Sequence, residues 1–139
     1  MPHPLQPASG PAPWPHGGQA SDPQLERLVR EIIGRIADKW TMLVIEALAE
    51  HGCLRFTQLA ARVGEVSQKM LTRTVRQMEA DGLLLRTVYP QVPPRVEYQL
   101  TAMGMSLGQA FCGVWLWAER HRDDIEAARR AYEQRLEAR

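Results

Sequence analysis

Residues 67–78, which read SQKMLTRTVRQM, decide the fold that this chain is expected to adopt. Leu71, Val75 and Met78 recur at i, i+4 and i+7, so they would form one apolar face of a helix. Ser67 stands where a helix N-cap is preferred. The residues expected on the opposite face are Lys69, Thr72, Arg73 and Arg76. Because no acidic residue interrupts this face, the stretch predicts a helix that suits the DNA major groove, although an ordinary solvated surface helix shares the pattern.

The preceding sequence favours the first of these interpretations. A helix is predicted from about Trp40 to Glu50, ended by Gly52, and residues 54–56 are expected to form a small edge strand. Thr57 is then predicted to cap a short helix that ends at Gly64. Its inward residues are expected to be Leu59, Ala60 and Val63. Two short helices joined by a tight turn, the second bearing a polar face, are the helix-turn-helix arrangement.

The sequence that follows predicts a β-hairpin. Residues 83–89 have β character, and residues 95–100 alternate apolar and polar side chains. The connection, 90–94, is rich in proline. Arg86 and Arg95 flank this tip, so the hairpin suits a rigid wing that lies along a phosphate backbone, with a hairpin that only covers the core as the alternative.

Two further helices carry more apolar surface than one small core requires. The first is predicted to start at Pro23, after an N-cap at Ser21 or Asp22, and it repeats apolar residues at helical spacing over 25–36. The last is expected to begin after Thr101 as its cap. This excess predicts pairing with a second copy of the chain. The residues expected at the dimer interface are Leu25, Leu28, Ile32, Phe111, Trp115 and Trp117.

Composition sets the broader limits. The 139 residues carry 17 basic and 16 acidic side chains, so only local charge can indicate a nucleic-acid partner. Residues 1–21 hold six of the ten prolines and no charged side chain, which predicts a disordered arm. Residues 22–120 are expected to form the domain, and residues 121–139 a charged helical extension. No apolar run reaches the roughly 20 residues that span a bilayer, so a cytoplasmic protein without membrane contact is expected.

Catalytic and metal-binding patterns are not discernible. The sequence contains no Ser-His-Asp or Cys-His arrangement, no glycine-rich phosphate loop and no carboxylate pair. Its two cysteines, Cys53 and Cys112, are too far apart to suggest a metal-ligand motif. We therefore expect neither an enzyme nor a bound cofactor or metal ion.

Taken in order, these elements resemble the HxlR-type bacterial transcription regulators, a winged helix-turn-helix family. The resemblance spans about residues 25–120. The matching motifs are DKWT at 38–41, RF at 55–56, SQKMLT at 67–72, EADGL at 79–83 and YPQVPPRVEY at 89–98. The fold that this resemblance implies is α+β and mainly α, with a β-hairpin wing and with dimerisation helices at both ends.

The resemblance also implies a function and a set of contact residues. The expected protein is a sequence-specific DNA-binding regulator, specifically a homodimeric repressor on a palindromic double-stranded operator. It would bind through the helix at 67–80 and the wing at 86–95. The residues expected to contact DNA are Lys39, Arg55, Ser67, Gln68, Lys69, Thr72, Arg73, Arg76, Arg86 and Arg95.

Two alternatives remain open from the sequence. A ligand- or redox-responsive regulator would bind an effector at the dimer interface, in a pocket formed by Trp40, Phe111 and Trp115. The sensing cysteine of several family members would fall at about Arg27, where this chain has none, and Cys112 is expected to pack as a small apolar residue. The other alternative is a winged-helix protein-interaction module that does not bind DNA.

Overall fold

The computed structural model describes residues 5–10 and 22–138 of the chain. Within these ranges it contains five helices and three strands, in the order α1 (Pro23–Ile36), α2 (Lys39–His51), β1 (Cys53–Arg55), α3 (Phe56–Val63), α4 (Gln68–Ala80), β2 (Leu84–Tyr89), β3 (Arg95–Leu100) and α5 (Ala102–Glu137). Most of the predicted arm at 1–21 lies outside the described residues. Residues 5–10 are exposed and form neither helix nor strand.

The three strands form one antiparallel sheet in the order β1-β3-β2. Leu54 of β1 pairs with Tyr98 of β3, and Tyr89 of β2 pairs with Arg95 across the hairpin. The central strand is therefore the second strand of the hairpin, and the short β1 lies at the edge. This arrangement confirms the predicted α+β, mainly helical winged-helix fold.

The core lies between α2, α3, α4 and the sheet. Leu71, Val75 and Met78 are almost completely buried in it, so the predicted apolar face of α4 is confirmed. The other buried apolar residues are Val44, Ile45, Ala47, Leu48, Leu54, Leu59, Val63, Leu83, Leu84 and Tyr98. Because α4 packs through one face only, its opposite face is left toward solvent.

The start of α3 corrects two of the predicted boundaries. β1 ends at Arg55 and α3 begins at Phe56, so Thr57 lies inside the helix and its prediction as the N-cap is wrong. The backbone N–H of Arg55 donates instead to Oε1 of Gln58, at 3.0 Å. This contact satisfies the backbone N–H of Arg55, the residue that immediately precedes α3.

The end of α4 is tied to both the hairpin and α5. The N–H of Leu83 donates to the carbonyl of Met78 at 2.9 Å, and Gly82 has a φ of +77°, as in the Schellman motif. The Thr101 hydroxyl donates to the Gly82 carbonyl at 2.7 Å and accepts from the N–H of Gly104 at 3.0 Å, which confirms Thr101 as the cap of α5. These contacts fix where α4 stops.

The chain divides into two compact units, one of which is Pro23–Phe111. The C-terminal segment from Cys112 onward belongs to the other unit. All residues from 112 to 120 are exposed in the single chain, so the expected packing of Cys112 on the dimerisation helix stays a prediction. No described residue from Cys112 onward belongs to the hydrophobic core or packs against it. The expected boundary near residue 120 stays a prediction. None of the described helices is both long and apolar enough to cross a membrane.

Candidate nucleic-acid interface

The outward face of α4 has the composition that the sequence predicts. Gln68, Lys69, Arg73 and Arg76 are exposed, and Thr72 is half-buried between them. Within residues 22–138, none of the three cations on this face forms an ion pair with another side chain. Because their charges are not neutralised by the protein, these side chains can bind an anionic or hydrogen-bonding surface.

The start of α4 is fixed by its predicted cap. The hydroxyl oxygen of Ser67 accepts a hydrogen bond from the N–H of Met70 at 3.0 Å, so the prediction of Ser67 as N-cap is confirmed. The first turn of the helix contains no acidic residue. The positive end of the helix dipole therefore lies beside the cationic face and adds to its attraction for anions.

A cleft of about 300 Å³ separates α4 from the sheet. It is lined by Arg76 of α4 and Arg86 of β2, together with the carboxylate-bearing Glu79. The remaining lining residues are Phe56, Gln68, Thr72, Val75 and Tyr98. Two guanidinium groups from different elements thus meet one acidic side chain, which leaves the cleft with a net positive charge at neutral pH.

The second predicted arginine of the wing has intramolecular contacts. Nε of Arg95 lies 3.3 Å from Oε1 of Glu97, without the geometry of a hydrogen bond, and its guanidinium carbon lies 4.1 Å from the ring centre of Tyr89. Arg95 is half-buried, whereas Arg86 is exposed. The two arginines that flank the hairpin tip therefore differ in how much of their charge is available.

The same carboxylate also contacts Cys53 of β1. The Cys53 thiol donates a hydrogen bond to Oε2 of Glu97 at 3.3 Å. Partial desolvation, and then the hydrogen bond to Glu97 and its negative charge, raise the pKa of the Cys53 thiol, while the positive charge of Arg95 acts in the opposite direction. A raised pKa lowers the thiolate fraction at neutral pH, so Cys53 is exposed but poorly activated.

The other two predicted DNA-contacting residues lie outside α4 and the hairpin. Lys39 is exposed at the first position of α2, with Nζ 5.0 Å from the ring centre of Trp40. Arg55 is exposed at the junction of β1 and α3. Neither forms an ion pair in the described part of the chain.

The predicted dimer residues fall into two groups. Leu25, Leu28, Trp115 and Trp117 are 47–72% exposed, and Ile32 is half-buried. Phe111 is half-buried and packs against the chain's own core.

The effector pocket of Trp40, Phe111 and Trp115 was predicted at the dimer interface, so the single chain does not test it and it stays a prediction. Trp40 lines a cleft of about 350 Å³ together with Arg35, Asp38 and Arg73. Neither Phe111 nor Trp115 lines that cleft. This cleft is formed by α1, α2, α4 and the turn between α1 and α2.

Some contacts beside the site were not found from the sequence. Nε of Arg35 donates to Oδ2 of Asp81 at 2.9 Å, but 46 positions separate the two residues and no local pattern indicates the pair. The contact of Arg95 with Glu97 carries a signal, because residues two apart on a strand share one face. That signal could have separated Arg95 from Arg86.

Comparison with known proteins agrees with this geometry. A model of the HxlR-like helix-turn-helix family matches residues 35–126. The chain is 37% identical over 100 residues to an uncharacterised helix-turn-helix transcriptional regulator, YtfH, of Escherichia coli (strain K12), which covers 72% of this chain and 79% of YtfH. A solved structure of the candidate transcriptional regulator ytfH from Salmonella typhimurium aligns with a TM-score of 0.63 and 36% identity, over 73% of this chain and 89% of that one. The redox regulator HypR in its reduced form aligns with a TM-score of 0.64 and 35% identity, over 72% and 98% of the two chains. The chain therefore belongs to the HxlR-like helix-turn-helix family of transcriptional regulators.

Proposed function

We propose that this regulator binds double-stranded DNA in a sequence-specific manner, with α4 in the major groove and the β2–β3 hairpin beside it on the phosphate backbone. The observation that carries the proposal is the outward face of α4. It combines exposed donors and cations, unpaired within the described part of the chain, with an inward face that is fully occupied by the core. A helix held in this way presents a fixed set of side chains to a groove.

The residues of α4 divide into two roles. Lys69, Arg73 and Arg76 are long enough to reach base edges, where a bidentate arginine recognises guanine. Ser67 and Thr72, together with the N–H groups at the helix start, suit phosphate oxygens. Gln68 is the one amide among the exposed residues of α4 and suits adenine.

In the wing we assign the phosphate contact to Arg86. It is exposed and shares a cleft with Arg76, so a backbone phosphate between α4 and the wing would meet both guanidinium groups. Arg95 is assigned a different role, because Glu97 and Tyr89 already hold it. We expect it to stiffen the hairpin and so to support binding indirectly.

We further propose that the chain acts as a cytoplasmic homodimer on a palindromic operator and represses transcription. The exposed apolar residues of α1 and α5 supply surface for a partner copy, and a two-fold dimer matches a palindrome. A dimer bound at a promoter blocks polymerase without needing an activating surface. The compared relatives carry names of regulators, which supports a non-enzymatic role.

Substitution of the α4 cations tests the proposal. The full chain and its Arg73→Ala and Arg76→Ala variants are titrated onto a duplex from the DNA that flanks its own gene, by fluorescence anisotropy over a series of salt concentrations. Loss of a base contact should weaken binding by about 1–3 kcal/mol and relax specificity at one position. Loss of a phosphate contact should instead reduce the slope of log affinity against log salt by about 1.

Arg129→Ala is the matched control, because it removes an exposed arginine from α5 and leaves α4 unchanged. Its affinity should equal that of the unmodified chain. Circular dichroism should show the same helical content in all variants. Equal affinity of both α4 variants and the control would contradict the assignment of α4 as the reading element.

A small-molecule effector is the second candidate function, and one observation favours it. The Trp40 cleft contains an aromatic ring, the two buried threonines Thr41 and Thr74, and Arg73, which is one of the proposed DNA contacts. A ligand bound there would compete with DNA for Arg73. Quenching of Trp40 fluorescence by an aromatic compound, with a matching loss of DNA affinity, would support this function.

A further inference from the structure

The ends of α1 and α4 are joined by one polar contact across a gap. Nε of Arg35 donates to Oδ2 of Asp81 at 2.9 Å, and the two side chains are 39% and 24% exposed. The cleft of about 350 Å³ lies between the end of α1 and α4, with Gly34 and Arg35 on one side and Met70 and Gln77 on the other. The ion pair therefore connects two helices that leave unfilled space between them.

Asp81 is locally an unfavourable residue where it stands. It is the C-cap of α4, and its N–H donates to the Gln77 carbonyl at 3.0 Å, so its carboxylate lies at the negative end of the helix dipole. The last turn of α4 also carries Glu79 and no basic residue. Within the described residues, Arg35 is the cation that contacts this carboxylate. Arg35 therefore offsets a negative charge that is unfavourable at this end of α4.

The described hydrophobic core does not set the direction of α1. None of its described side chains belongs to the hydrophobic core or packs against it. The connection to α2 is a tight turn in which the N–H of Asp38 donates to the Arg35 carbonyl at 3.1 Å. The side-chain contact of Arg35 therefore ties α1 directly to the end of α4 beside this turn.

We propose that Arg35 and Asp81 are positioning residues that fix the angle between α1 and the recognition helix α4. This inference rests on the proposed function, in which α1 belongs to the dimer interface and α4 reads the DNA. Fixing the angle in both protomers fixes the separation of the two α4 helices. The ion pair then selects operators by the spacing of their half-sites, although neither residue touches DNA.

The test compares operators that differ only in spacing. A palindromic duplex is obtained by in vitro selection with the unmodified full chain, and versions with one base pair added or removed at the centre are made, with a single half-site as a reference. Arg35→Gln and Asp81→Asn should each reduce the preference for the selected spacing about three- to tenfold, the range expected for coupling through one contact. Half-site affinity should stay within about twofold, since the contacts of α4 with DNA are unchanged.

Two further variants separate positioning from folding. The charge exchange Arg35→Asp with Asp81→Arg should restore the spacing preference, because the pair re-forms with its polarity reversed. Arg30→Gln removes an exposed arginine one turn earlier on α1 and should leave the preference unchanged. Asp81→Asn should not lower the thermal midpoint, because it also removes a carboxylate from the negative end of α4.

A measurement without DNA tests the angle between α1 and α4 separately from the proposed function. Spin labels are placed at Arg27→Cys on α1 and Glu79→Cys on α4, with both native cysteines replaced by serine and the labelled chain diluted with unlabelled chain. The distance distribution should be narrow in the parent, broad with Arg35→Gln, and narrow again in the charge exchange. An unchanged distribution, or an unchanged spacing preference in a chain that binds DNA, would overturn the inference. Absence of DNA binding by the parent with a broadened distribution would overturn only the proposed function and the spacing role that rests on it.

Discussion

The helices of this chain use their apolar residues in two different ways. α4 buries Leu71, Val75 and Met78 in the core and turns its cations to solvent. α1 leaves its apolar residues 44–57% exposed at four positions, Leu25, Leu28, Val29 and Ile33. In α5, the run Val114–Trp117 is also exposed. A regular apolar stripe therefore predicts that a helix docks, but it does not identify the surface on which the helix docks.

The difference gives each group of helices its own expected role. Helices that are complete within the chain, such as α4, have a fixed orientation and can present side chains to a ligand. The exposed apolar residues of α1 and α5 are not covered by the described part of the chain, and contiguous exposed apolar surface is typical of an interface. The contrast predicts that substitutions in the two groups have different consequences.

Truncation of a buried leucine should give the largest effect. Leu71 is completely buried in α4, so Leu71→Ala should lower the free energy of unfolding by about 2–5 kcal/mol, because it removes core contacts and leaves a cavity. Leu28→Ala in α1 is the matched control, because it makes the same chemical change at a residue that is 52% exposed. Urea unfolding at low protein concentration measures both. Equal losses of stability would contradict the distinction between α4, which buries its apolar face in the core, and α1, which leaves its apolar residues exposed.

A charge in the exposed apolar face of α1 should have the next largest effect. This effect should be on assembly and not on folding. Leu28→Asp should raise the dissociation constant of the proposed dimer at least about tenfold, since it would place a carboxylate in the apolar interface proposed for α1. Helical content should stay unchanged, because Leu28 packs on no described core residue. Sedimentation equilibrium measures the constant, and Arg27→Gln on the same helix changes the net charge by the same amount. Dimers of unchanged affinity would place the interface elsewhere.

Much of the fold could be predicted from local sequence patterns. The apolar period of α4, its Ser67 cap and the alternation in β3 each depend on neighbouring residues, and the structure confirms all three. The start of α3 was predicted two residues late, with Thr57 instead of Arg55 as the N-cap, because the side chain that contacts the helix start is that of Gln58. The local pattern therefore did not distinguish two possible helix starts, at Arg55 and at Thr57, that lie two residues apart.

Tertiary partners could not be predicted in the same way. The contact of Arg35 with Asp81 depends on two helices meeting, and the sequence records only that each residue lies near a helix end. The sequence predictions gave Arg95 and Arg86 the same role, although Glu97 stands two residues from Arg95 on the same strand. In the structure Glu97 and Tyr89 hold Arg95, whereas Arg86 is exposed. The exposed face of α4 was predicted from its own periodicity, but which of its residues contact bases and which contact phosphates stays a prediction.

The smallest expected effect concerns the reactivity of Cys53, which lies on the edge strand β1 of the sheet that packs on α4. Its pKa is raised by partial desolvation and by Glu97, so alkylation by iodoacetamide, which requires the thiolate, should be slow at neutral pH and should accelerate as the pH rises toward that pKa. Glu97→Gln removes the negative charge, lowers the pKa and should speed alkylation about two- to tenfold at a fixed pH, shifting the rate profile to lower pH. Arg95→Ala should do the opposite, because Arg95 favours the thiolate.

The alkylation rates of both variants are measured by mass spectrometry in a Cys112→Ser background, in which only Cys53 reacts. Identical rates in all three chains would mean that the contact of Cys53 with Glu97 does not control its ionisation, and that solvent access at the edge strand alone sets how fast the thiol reacts.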